Sequence, residues 1–154
     1  MKLFGHPIHP LLIHFPTALL PMDLVLSALY WSTSNSSFYQ AGAYCLWAAS
    51  ALGLLAVVTG LIDLIAIPRS DKKAIALALY HGSTNGLLIL IFAVIAYKAW
   101  LVFPSPFFTG GAQLIIKGVL VFALFVGNYL GGRLIYTYHV GINFKKHNDG
   151  DPTT

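Results

Sequence analysis

Four apolar stretches, each longer than the roughly 20 residues needed to cross a hydrocarbon core, leave this chain few ways to fold. They run over 11–31, 43–67, 74–103 and 113–138. In lipid, a spanning segment must satisfy its own backbone N–H and C=O groups, so segments of this kind become α-helices. The sequence therefore predicts an all-α integral membrane protein. Short connections make it a four-helix, up-down-up-down transmembrane bundle, one domain over residues 1–154. Composition leaves no soluble domain: 57 % of residues are hydrophobic and 9 % charged, and the mean hydropathy is +0.74. The first span is expected to stay in the mature protein. It opens on one lysine and a His/Pro run and is interrupted by Asp23, unlike a secretory signal.

Charge orients the spans. The connections at 32–40 and 101–111 carry no charge, whereas Arg69, Asp71, Lys72 and Lys73 lie between spans two and three. With Lys2, Arg133, Lys145 and Lys146, seven of nine basic residues fall on the side of the termini. The positive-inside rule then places both termini in the cytoplasm, in a multi-pass protein of the bacterial inner membrane. Lys98 and Lys117 remain on the other side, where long stems let ammonium groups snorkel to water. The basic excess flanks spans and forms no aromatic-interleaved patch, so the expected partner is the bilayer and not nucleic acid. Cys45 is the only cysteine and reads as a small buried apolar residue.

The polar residues within this apolar frame are the candidates for function. Gly5-His6-Pro7-Ile8-His9-Pro10 followed by His14-Phe15-Pro16 places three imidazoles at the entry to span one. A residue before proline is driven from the α region, so His6 and His9 are expected in extended or turn geometry, with Pro10 as the first helical residue. Topology brings His6, His9, His14, Asp63, His81, Arg133 and His139 to one membrane face. Asn85 lies one turn beyond His81, Thr59 one turn before Asp63, and Gly127 and Gly131 form a small-xxx-small pair. Ionisable groups inside a membrane are costly and mark function more often than chance. Asp23 lies deeper than this layer. With no basic residue near it on span one, it is expected to be neutral unless a cation or metal reaches it.

The opening motif resembles a family of bacterial four-span membrane proteins catalogued as domain of unknown function 2231. The similarity continues through Asp23, Gly60-x-x-Asp63, His81-x-x-x-Asn85, and Gly131-Gly132-x-Leu134 before His139. Some relatives look fused or adjacent to iron–sulfur or other redox proteins, which implies a redox or haem-linked setting. The family brings no established reaction.

Three readings of the layer follow. The first is a haem b site in an electron-transfer subunit, with His14 and His81 on diagonal spans as iron ligands. His9, His139 and Asn85 belong to that site, with Arg133 and His6 or His9 near the propionates, and other membrane redox subunits are the partners. The second is a first-row metal site for Zn or Fe, with hydrolytic or oxidative activity, drawing on His6, His9, Asp63 and His139. The third is a structural subunit of a larger membrane assembly, in which the polar layer serves helix packing.

Overall fold

The computed structural model describes residues 2–3, 6–107 and 109–138. Four long helices carry the fold: α1 (Ile8–Thr33), α2 (Ser36–Ile65), α3 (Lys72–Val102) and α4 (Gly111–Tyr138). All four are long and apolar enough to span a membrane. Two short strands precede them, β1 (Lys2–Leu3) and β2 (His6–Pro7), paired antiparallel with Leu3 opposite His6.

The helices exceed the apolar stretches because polar residues cap them. Asn35 accepts the Ser37 backbone N–H at 3.0 Å, so the uncharged segment after residue 35, expected as a loop, is the first turn of α2. Asp71 accepts the Ala74 N–H at 3.0 Å and opens α3 in the same way. The first connection shrinks to Ser34 and Asn35, with Ser34 at φ 56°. Before α4 the chain turns through Gly110 at φ +96°, a conformation glycine adopts without a Cβ penalty.

α1 also starts earlier than expected. His9 is helical and Pro10 lies inside the first turn, where a missing N–H costs no hydrogen bond. His6 keeps the extended geometry expected of a residue before proline. Pro16 and Pro21 lie within α1 without ending it. Neighbouring helices make this tolerable in a membrane span.

Each helix packs on the next, and α4 closes back on α1, while the α1/α3 and α2/α4 diagonals barely touch. This is the up-down bundle. Its core is built from Leu20, Leu46, Ala49, Ile89, Phe92 and Leu124. Gly53 lets α2 approach α3, since a Cβ there would stand 2.7 Å from Ile89 Cδ1. Large apolar side chains such as Leu55, Ile115 and Phe122 face outward, as expected where the surrounding solvent is lipid.

Candidate functional site

Two histidines meet on the bundle axis. His9 in the first turn of α1 and His81 in α3 have ring centroids 6.4 Å apart, with planes at 81°. They come from the diagonal helices that otherwise hardly touch, so each imidazole reaches past its neighbours to the centre.

Each is held by one device, used twice. His9 Nδ1 lies 2.8 Å from the Ala56 carbonyl on α2, and His81 Nδ1 lies 2.9 Å from the Gly127 carbonyl on α4. One turn further along each partner helix is a glycine under the ring. A Cβ on Gly60 would meet His9 Cε1 at 3.0 Å, and one on Gly131 would meet His81 Cε1 at 2.6 Å. The hairpins α1–α2 and α3–α4 thus present equivalent imidazoles to one another. Residue identity around the two positions differs, so this equivalence leaves no repeat in the sequence.

The carbonyl contacts determine the tautomer. A carbonyl oxygen has no proton to share, so a nitrogen this close must be the N–H donor. Both Nδ1 atoms are therefore protonated, and in the neutral ring each Nε2 keeps its lone pair. Ala56 O also accepts from Thr59 Oγ1 at 3.0 Å, which ties Thr59 into the same support. Asn85 packs one turn from His81. Its Nδ2 lies 3.0 Å from His81 Nδ1 and 3.2 Å from the His81 carbonyl. With the proton on Nδ1, only the carbonyl contact is a hydrogen bond in this amide orientation. The Asn85 Oδ1 is buried without a partner among the described residues.

The other expected members are not all gathered here. His14 is exposed on α1. Five residues after His9, it is rotated about 140° around the helix, so the two cannot face one centre. The expectation that His14 pairs with His81 is replaced by His9 with His81. Arg133 is exposed, two residues beyond Gly131, and Asp63 is half-buried near the end of α2. The His6 side chain and all of His139 lie outside the described residues. Among those described, no group of three His, Cys, Asp or Glu comes together as a metal site. Gly53 and Gly60 are packed against side chains, while Gly82, Gly86 and Gly132 face open space.

A second polar centre lies about 21 Å further along α1, at the spacing of 1.5 Å per residue. Lys117 Nζ of α4 reaches Asp23 Oδ1 at 2.8 Å, Asp23 Oδ2 at 2.7 Å and Ser27 Oγ at 2.9 Å. Both charged side chains are buried. This corrects two expectations: Lys117 does not snorkel, and Asp23 has a cation. The residue count hid the pairing. Asp23 is ten residues before the end of α1 and Lys117 six after the start of α4, and the long lysine stem spans the difference in depth. Gly42 leaves space for the carboxylate, since a Cβ there would lie 3.1 Å from Asp23 Oδ1.

A family model described as "Predicted membrane protein (DUF2231)" matches residues 5–143. No curated protein and no solved structure matches the chain. The chain belongs to this family of predicted membrane proteins.

Proposed function

For a member of that family, we propose that His9 and His81 would hold the iron of a haem b, and that the protein is an electron-transfer subunit of the membrane. One observation carries this reading: two imidazoles from diagonal helices meet on the axis with each Nδ1–H committed to a backbone carbonyl. Ligating histidines are oriented by such a bond through the second ring nitrogen, which fixes the tautomer and raises basicity at the first. The two rings are neighbours, with centroids 6.4 Å apart, and would be the residues that hold the iron.

Two protein ligands suffice for haem, whose macrocycle supplies the other four nitrogens, and haem contributes a one-electron couple when bound. A Zn or Fe site built from protein alone needs more donors than the two described residues bring together. In the haem reading the Ala56 and Gly127 carbonyls hold the ligands, Gly60 and Gly131 set their ring positions, and Arg133 offers a cation for a propionate. The layer lies at one end of the bundle, so electrons would enter or leave through partner redox subunits. The excess of basic residues beside it is the reason for placing this end in the cytoplasm, in a bacterial inner membrane.

The optical spectrum of the purified protein, with metal analysis, tests the reading. A Soret band that is lost in His9→Ala and in His81→Ala but kept in His14→Ala is the expected result. A colourless preparation that takes up no added haemin overturns it. Stoichiometric Zn or Fe in that preparation would point to the metal-ion reading instead.

A further inference from the structure

The Asp23–Lys117 pair takes no part in the histidine layer, yet it does not fill its surroundings as a purely structural bridge would. A void of about 20 Å³ lies against it, with Asp23, Tyr39, Gln113 and Lys117 as its polar walls. That is room for one water, which needs roughly 10–15 Å³ and two to four polar partners. One carboxylate oxygen is left for it. Asp23 Oδ2 meets Lys117 Nζ at 2.7 Å as an ion pair, but accepts no directed hydrogen bond among the described residues. The ammonium donates instead to Asp23 Oδ1 and Ser27 Oγ.

Access to the pair is one-sided. The void is bounded by Tyr39 in the first turn of α2, Gln113 in the first turn of α4, and Phe107 in the connection between α3 and α4. All three belong to the end opposite the histidines, and Phe107 is 43 % exposed. Toward the histidines each helix contributes one closing side chain. Leu20 on α1, Ala49 on α2 and Phe92 on α3 are 0 % exposed, and Leu124 on α4 is 2 % exposed. An apolar layer of this kind offers neither water nor hydrogen-bonding groups to carry a proton across.

We infer that Asp23 is a proton-binding site, loaded through one water in this void from the end of the bundle opposite the histidines. In the loading step a hydrated proton gives up one O–H bond, a new O–H bond forms at Asp23 Oδ2, and neutral water is left. Lys117 keeps its three protons. The water that stays in the void then hydrates the ammonium, whose anion has been neutralised. Without it, loading would leave a bare buried charge, at a cost of several kcal/mol. Intramembrane carboxylates that exchange protons are characteristically reached by water in this way. Lys117 on α4, with Tyr39 and Cys45 on α2, are the titratable groups that face Asp23, and Tyr30 on α1 packs on Tyr39. From α3 the void is walled by Ile95 and Ala99, which carry no charge.

Infrared titration of the full chain in proteoliposomes tests this. As pH falls, the C=O stretch of a protonated carboxyl should grow in. It should be missing from the double variant Asp23→Leu with Lys117→Met, in which no buried charge is left alone. Ala99→Val, which narrows the void, should move the transition down by about one pH unit, the worth of roughly one hydrogen bond. Should Ala99→Val fail to fold, Ala43→Val on another wall serves in its place. Sidedness is read by changing the external pH alone. With Cys45 replaced by Ser, a single cysteine at Ser105 reports how many molecules face outward with the end opposite the histidines. The fraction of the Asp23 signal that responds should equal that fraction. The inference is overturned by a carboxyl signal identical in the parent and the double variant. A transition unmoved by filling the void, or a response that follows pH on the histidine side, overturns it equally.

Discussion

Lys117 on α4 and Asp23 on α1 form a two-oxygen ion pair, 2.7 Å at its shortest, with 6 % and 3 % of the side chains exposed. A buried pair attracts strongly but has lost its hydration, so its net contribution to stability is small while the cost of breaking it is large. Its clearest consequence is positional: it sets the depth of α1 against α4.

Removing one partner should therefore be worse than removing both. Lys117→Met or Asp23→Leu should each destabilise by about 3–5 kcal/mol, because a charge is left buried alone. The double variant should recover most of that loss. Equilibrium unfolding of the detergent-solubilised protein checks this. Additive losses in the double variant would mean that the two side chains act separately. Asp23→Asn belongs with the damaging single changes, since the amide cannot neutralise the ammonium.

The glycines beneath the rings give a second test. At Gly131 an added Cβ would stand 2.6 Å from His81 Cε1, and at Gly60 it would stand 3.0 Å from His9 Cε1. Gly131→Ala should displace its histidine further than Gly60→Ala, while alanine's better helix propensity supports the helix itself. The expected signature is a lost or shifted His81 imidazole resonance with unchanged helical content. If haem is bound, its occupancy falls more in Gly131→Ala. Identical histidine spectra in the variant and the parent would show that the ring does not rest on Gly131.

Much of this architecture can be read from the residues because lipid allows few alternatives. Apolar length reveals each span, and antiparallel connection puts His9 and His81 at one end. What escapes is angular and axial detail. His14 looks equivalent to His9 until the five-residue rotation is counted. Lys117 looks interfacial until its depth is compared with that of Asp23 across an antiparallel pair. Asn35 and Asp71 extend their helices through caps that hydropathy does not register. The paired carbonyl supports at Ala56 and Gly127 carry no side-chain signature, although the glycines four residues later offered a hint.

The positive-inside argument leads to a topology test. With Cys45 replaced by Ser, single cysteines at Lys72 and at Ser105 should label from opposite sides of the membrane, because they lie in successive connections of the bundle. The Lys72 position should be reached from the cytoplasm. Labelling of both from one side would contradict four spans. Reversed sides would keep the bundle and move the histidine layer to the outer face.

The tautomer argument can be checked without any cofactor. His9 and His81 lie 2.8 and 2.9 Å from backbone carbonyls through Nδ1, so the neutral rings should carry the proton on Nδ1. Free histidine in water favours the other nitrogen modestly, which gives the measurement its contrast. Nitrogen-15 NMR of the cofactor-free protein in bilayers should show a pyrrole-like Nδ1 and a pyridine-like Nε2 for both residues. His14, exposed and five residues from His9, should not share that pattern. Addition of a ligand metal should then shift the Nε2 resonances of His9 and His81 and leave that of His14 unmoved. A proton on Nε2 of either His9 or His81 would remove the lone pair that a metal would need there. It would leave a layer that joins helices and binds no metal, and the polar end of this bundle would then have to be read as packing.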